Sequence, residues 1–316
     1  MMNLLARRVA GFFLLLLLSA CAAPQTRQLQ TQSPAGLPLQ FELTQVPFFP
    51  QEAYQCGPAA LATVLTVAGF SIQPDALVQQ VYLPERQGSA QVEMLTAARR
   101  NGALAYQLAP QLDDLLQEIA AGNPVLVMQN LALSWYPKWH YAVVVGYDIP
   151  RSEMILRSGL EQRQVLSMAT FEHTWARSER WAVVVLPPGK LPVTAKRDAS
   201  LKAAAALEKN VQSQAGRTYS ALLEQWPNDL VALMGAGNTA YANKDLAAAE
   251  NYFRRAIQYH PASGDAWNNL AQTLADQERF YEAHYAAKKA LPLGGPNLEQ
   301  YRQTLSAIEV KLHIPR

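Results

Sequence analysis

Two side chains, Cys56 and His140, have the types and the surroundings to do chemistry together. Cys56 sits in Gln51-Glu52-Ala53-Tyr54-Gln55-Cys56-Gly57-Pro58-Ala59-Ala60-Leu61, where a turn runs into an apolar helix. Pro58 suits a first helical turn, which needs no hydrogen-bonded N–H there. The unpaired N–H groups and partial positive charge of a helix N-terminus favour thiolate over thiol, so this placement predicts a lowered Cys56 pKa. The same N–H groups can meet an oxyanion, with a side-chain amide from Gln51, or in competition from Gln55, as a further donor. All five histidines follow Cys56: His140, His173, His260, His284 and His313. The last three fall in an alanine-rich half and read as surface residues. His173, in Phe171-Glu172-His173-Thr174-Trp175, falls in a short helix expected to pack on a sheet. His140 directly precedes the strongest strand pattern, Tyr141-Ala142-Val143-Val144-Val145-Gly146-Tyr147, and a strand end holds a general base rigidly. Trp135, Tyr136 and Trp139 crowd its approach and read equally as the lining of a substrate groove or as a core plug.

Other chemistries lack their signatures. There is no metal-ligand cluster, phosphate-binding glycine loop or dinucleotide fingerprint, so no metal and no cofactor is expected. The net charge is +2 with both signs mixed. No basic block suggests nucleic acid as a partner.

The start of the chain bears on Cys56. Arg7 and Arg8 precede an apolar run, Val9 to Leu18, broken only by Gly11. The run is too short to span a bilayer, so residues 1–20 read as a cleaved export signal. It ends Leu18-Ser19-Ala20-Cys21, which resembles the lipobox of bacterial lipoproteins. That resemblance implies that Cys21 is acylated and becomes the new N-terminus, anchoring the chain to a membrane. Ala22, compared with the sorting habits of enterobacterial lipoproteins, implies the outer membrane and a periplasmic location. Cys56 is then a lone free thiol in an oxidising compartment, which chemistry explains better than packing. Residues 21–40, polar and proline-punctuated, read as a lipidated flexible tether. Extended at about 3.3 Å per residue, it would reach roughly 60 Å.

The elements that must position the pair follow. Helical patterns cover 59–68, 92–101 and 112–121, and strand patterns cover 124–128, 141–147, 154–156 and 181–186. Helices first and strands later suggest an α+β domain over 41–190 with an antiparallel sheet. Pro187-Pro188-Gly189-Lys190-Leu191-Pro192 is a break, and residues 191–316 read as all-α. There a 34-residue period sets Gly237, Ala249, Phe253, Ala256 and Pro261 on the tetratricopeptide pattern, with clear units at 230–263 and 264–297. Trp267, Leu270, Ala271, Ala283 and Ala290 carry the second unit. Ala215, Tyr219 and Pro227 keep phase in a degenerate unit upstream, and a closing helix is expected over 298–312. A concave repeat surface suits a protein or peptide partner.

Val46-Pro47-Phe48-Phe49-Pro50-Gln51, Gln55-Cys56-Gly57-Pro58-Ala59-Ala60 and His140-Tyr141-Ala142-Val143-Val144-Val145-Gly146-Tyr147 together resemble the bacteriocin-processing, double-glycine-leader peptidases, which are papain-like cysteine peptidases. The likeness extends to a lipoprotein subgroup that adds tetratricopeptide repeats. It implies a papain-like domain with Cys56 as nucleophile, His140 as base and Gln51 as oxyanion helper, acting on a peptide or protein substrate. The family places Asp or Asn on the strand after the histidine strand to orient the imidazole. Here Ser158 takes that place, and a hydroxyl cannot stabilise an imidazolium as a carboxylate does. Two further readings stay beside the peptidase: a catalytically weak or inactive peptidase-like scaffold, and an amidase acting on cell-wall peptides.

Overall fold

The frame of the N-terminal half is an antiparallel sheet of seven strands. A computed structural model describes residues 23–50 and 55–313. The signal at 1–20, Cys21 and Gln51 lie outside the described residues. The first elements are helix α1 (Pro24–Thr31), strand β1 (Gln40–Glu42), helices α2 (Cys56–Val67) and α3 (Pro74–Val81), and a small ribbon of β2 (Tyr82–Leu83) with β3 (Gly88–Ser89). Helix α4 (Gln91–Arg100), strand β4 (Leu104–Gln107) and helix α5 (Leu112–Ala120) lead to the central strands β5 (Val125–Asn130), β6 (Trp139–Asp148), β7 (Glu153–Ser158) and β8 (Glu161–Ser167). Helix α6 (Met168–Ala176) and strand β9 (Ala182–Leu186) complete it. The order across the sheet is β4-β9-β5-β6-β7-β8, and β1 pairs with the far end of β6. Close approach of β1 explains Gly146, where a Cβ would lie 2.7 Å from the Phe41 carbonyl oxygen.

Helices cover both faces, and this is why Ala182-Val183-Val184-Val185-Leu186 is an unbroken apolar run rather than an alternating one. On one face Leu61, Val64 and Leu65 of α2 with Leu77 and Met94 bury Leu126, Val143 and Ile155. On the other, Leu112, Leu115, Leu116 and Ile119 of α5 with Phe171 and Trp175 of α6 bury Val127, Ala142 and Leu156. Phe171 and Trp175 stack at 5.6 Å between centroids, so the short helix expected around them does pack on the sheet.

The flexible tether expected over 21–40 is corrected from residue 24 onward. Helix α1 docks on the second face with Leu29 and Thr26 buried. The carboxylate of Glu172, itself buried on α6, accepts hydrogen bonds from Gln25 N–H (3.1 Å), Thr26 N–H (2.8 Å) and Thr26 Oγ1 (2.8 Å). A carboxylate at a helix N-terminus satisfies donors that have no intrahelical partner. Here that partner arrives from 146 residues away, so nothing in the local polar composition reveals it.

Beyond β9 the chain is helical: α7 (Arg197–Glu208), α8 (Gln212–Gln225), α9 (Leu230–Ala242), α10 (Leu246–Tyr259), α11 (Gly264–Asp276), α12 (Phe280–Ala290) and α13 (Leu298–Lys311). The 34-residue phase is visible in the caps. Asp229 accepts from Ala232 N–H and Ser263 from Ala266 N–H, each one residue before its helix. Side-chain Cβ atoms on Gly235 and Gly237 would overlap the rings of Tyr219 and Phe253, so small residues admit the aromatics that fill each helix pair. Helix α7 also lends Ala203 to the core of the sheet face, and Lys196 N–H donates to Tyr106 Oη at 3.0 Å. Among the described residues no helix is long and apolar enough to cross a membrane.

Candidate active site

Cys56 is the first residue of α2, with Gln55 at the cap position making no side-chain cap bond. The helix can start close to the β2–β3 ribbon because residue 57 is glycine; a Cβ there would overlap the Ser89 side chain. Tyr141 fixes the same corner, its Oη donating to the Ser89 carbonyl at 3.1 Å. The thiol is half-buried and free. The backbone N–H groups of Tyr141, Gly57 and Cys56 lie near enough to the sulfur to favour its thiolate. Contact with Tyr141 brings the sulfur to the residue directly after His140, at the end of β6 where that strand begins.

Strand alternation puts His140 on the face it shares with Gln129, its partner across β5. Ser158, the last residue of β7, lies on that face too. His140 Nε2 and Ser158 Oγ are 2.9 Å apart, so Nδ1 is the ring nitrogen left for other work. Ser158 is buried at 5 % exposure. The strand carrying it is held by its neighbour Arg157, which donates to the carbonyls of Val46 (3.3 Å), Thr44 (3.3 Å) and Gln162 (2.6 Å). The structure therefore brings His140 and Ser158 into contact, with Cys56 against Tyr141, the next residue along β6.

The electrostatics differ from expectation. Burial pushes the Cys56 thiol above its ordinary value, outweighing the backbone N–H donors that lower it. The expected lowering by the helix terminus is thus corrected: removing charge from water costs more here than the N–H groups return. Burial, with the positive charge of Lys138 as a lesser cause, lowers His140 to about 4. The resting pair is neutral thiol and neutral imidazole.

Trp135, Tyr136 and Trp139 are 81 %, 74 % and 51 % exposed. They are no core plug; they stand on the hairpin between β5 and β6 beside His140. Asp148 lies at the opposite end of β6 and accepts from Arg151 N–H in a turn at 2.9 Å, far from the imidazole. His173 is on α6, and His260, His284 and His313 are in the helical half beyond residue 196. Sequence reasoning missed Arg157 and the Tyr141 N–H. Arg157 left a legible signal, a charge inside the apolar strand Met154-Ile155-Leu156-Arg157; a backbone donor leaves none. Among the described residues no group of three or more His, Cys, Asp and Glu gathers as a metal site.

Residues 43–183 match the model of the Peptidase_C39 like family. That segment is less than half of the chain, and it contains Cys56, His140 and Ser158. The match supports a papain-like C39 class for the α+β domain and, with it, a cysteine peptidase. Among solved structures, the chain is similar to a candidate C39-like peptidase from Bacillus anthracis at 17 % identity and a TM-score of 0.41, over 46 % of this chain and 97 % of that one. It is also similar to MamA at 15 % identity and a TM-score of 0.35, over 38 % of this chain and 70 % of that one. A third, MamA MSR-1 C2, stands at 16 % identity and 0.34, over 38 % and 69 %. No curated protein matches the chain.

Proposed function

We propose that the protein is a membrane-anchored cysteine peptidase, with Cys56 as nucleophile, His140 as general base and acid, and Ser158 orienting the imidazole. The observation that carries this reading is the convergence of the half-buried thiol on the Tyr141 N–H while His140 Nε2 is held by Ser158 Oγ at 2.9 Å. The resting pair is neutral, so attack and proton transfer are coupled. As Sγ bonds to the peptide carbonyl carbon, its proton passes to the free imidazole nitrogen. The oxyanion is held by the Cys56 N–H and the Gln51 amide. Collapse breaks the C–N bond, and the leaving amine takes the proton from His140. Water, deprotonated by His140, then cleaves the thioester and restores the thiol.

In the same reading Cys21 carries the lipid, residues 41–190 form the peptidase domain and residues 191–316 form tetratricopeptide repeats that recruit a protein. The anchor places the chain at the outer membrane, facing the periplasm. A cleft of about 420 Å³ between α11 and α12, lined by Trp267, Leu270, Tyr281 and Tyr285, supports the recruiting role. The neutral pair and the serine in place of an acid favour one second reading, a peptidase-like scaffold of little activity.

A peptidyl vinyl sulfone separates the two. The peptidase reading expects labelling at Cys56, none in Cys56→Ala, and at least tenfold slower labelling in His140→Ala. Wild type labelling no faster than cysteine in an unstructured peptide would leave the scaffold.

A further inference from the structure

The hairpin between β5 and β6 displays Leu131, Leu133, Trp135, Tyr136 and Trp139 to solvent. Its backbone is fixed. Asn130 Oδ1 accepts from Ala132 N–H at 3.0 Å and Lys138 N–H at 2.9 Å, and the Lys138 carbonyl accepts from Leu131 N–H at 2.9 Å. Arg177 Nη1 donates to the Ala132 carbonyl at 2.8 Å. A fixed apolar tip of this size marks a contact surface.

What covers it follows from the direction of α1. That helix runs antiparallel to α6: its start is at Glu172, while Gln30 at its other end donates to Ser152 Oγ at 3.0 Å. Ser152 in turn accepts, through its carbonyl, from Met168 N–H at the beginning of α6. Gln25 also donates to the Pro110 carbonyl at 3.1 Å and accepts from Leu112 N–H, beside the end of β4. Gln107 of β4 pairs with Val183, and Ala182 pairs with Val127. This is the sheet end that carries Asn130, the hairpin and His140. Helix α1 therefore begins at the hairpin end. Cys21 precedes Pro24 by three residues, about 10 Å of extended chain. The helical half leaves from the other end, where Leu186 pairs with Leu104 and Gly189 packs on Arg217 of α8.

We propose that the Leu131–Trp139 hairpin is a membrane-contact element that seats in the headgroup region of a phospholipid bilayer. The proposal rests on the reading of Cys21 as the lipidated residue. Trp135, Tyr136 and Trp139 take the interfacial place that amphipathic rings favour. Leu133 reaches the edge of the acyl region, and the exposed Lys138 meets lipid phosphate. The lipid anchor holds the chain on the bilayer, and a protein contact at the same end of the domain fixes its orientation there. The Cys56 end of the sheet then faces the bilayer, so the polypeptide it acts on is one held at the membrane surface, and the repeats stand away from it.

The test uses the full lipidated protein in vesicles of phosphatidylethanolamine and phosphatidylglycerol, with or without phosphatidylcholine brominated near the top of its chains. Tryptophan emission should be quenched by the brominated lipid, and the Trp135→Phe, Trp139→Phe double variant should lose most of that quenching. Mass analysis of the Cys21 peptide reads the anchor separately. Acylated, vesicle-bound wild type with no quenching overturns the membrane contact and leaves the anchor standing. An unacylated Cys21 overturns both. A concentration-dependent dimer without vesicles, lost in the double variant, would assign the hairpin to self-association and overturn the proposal.

Discussion

Replacing Ser158 by Asp should rearm His140. Among the described residues the one side-chain partner of Nε2 is the Ser158 hydroxyl at 2.9 Å, and the imidazole is held down to about 4 by burial and Lys138. A carboxylate about 3 Å from an imidazolium gains roughly 5 kcal/mol of Coulomb attraction at an effective dielectric near 20. Much of that gain is offset by placing a second charge at a site only 5 % exposed. A net rise of about 1–3 pK units is the usual outcome for such a pair. Ser158→Asp should therefore carry His140 from about 4 into the range of about 5–7. The imidazolium formed during thiol attack is stabilised by the same interaction, so labelling of Cys56 by a peptidyl electrophile should quicken by tenfold or more. Ser158→Ala, which removes the hydrogen bond and is worth about 1 kcal/mol, should slow it several-fold. The assay pairs an NMR titration of the imidazole with labelling kinetics on the same preparations. An imidazole pKa that stays near 4 in Ser158→Asp refutes the geometry. A raised pKa with unchanged labelling refutes the coupling of Ser158 to the chemistry.

Other expectations follow from the same structure. Because His140 is lowered to about 4 when folded and titrates near 6.5 when unfolded, the unfolded chain takes up its proton first as pH falls. The stability present above about 6.5 is thus lost toward pH 4, by about 3 kcal/mol, and His140→Phe should lose less in denaturant titrations at the two pH values. Glu172→Ala leaves three donors on α1 without their acceptor; it should lower stability by about 2–4 kcal/mol and expose residues 24–33 to limited proteolysis. Gly237→Ala forces a methyl into the Phe253 ring, and calorimetry should find the helical half destabilised by about 1–3 kcal/mol.

The central strands were legible because each carries an apolar run, and α2, α4 and α5 because their apolar stripes are bounded by glycine: Gly69, Gly102 and Gly122 all adopt positive φ just past these helices. Strand β8 escaped notice because it is a polar edge strand, Glu-Gln-Arg-Gln-Val-Leu-Ser, with most of its residues exposed. Strand β4 is four residues long and has no β-branched side chain, so its register on β9 decides its conformation. The docking of α1 depends on a carboxylate far along the chain. At the site, side-chain types pointed to Cys56 and His140 and the family resemblance to Ser158, but the pKa direction of Cys56 did not follow from local position. The helix terminus argued for a thiolate, and burial, a property of the whole fold, decided otherwise. The aromatic hairpin was legible as composition, and its exposure only as structure.

In the proposed mechanism Cys56 forms a covalent acyl bond with a peptide substrate. The most direct test of that step is intact-mass and peptide mass spectrometry of the protein mixed with a peptide ester and quenched in acid within one turnover. An acyl adduct is expected on the Cys56 peptide, absent in Cys56→Ala and strongly reduced at the same time point in His140→Ala. Peptide-bond cleavage that persists in Cys56→Ala, or an adduct that forms equally without His140, would contradict it.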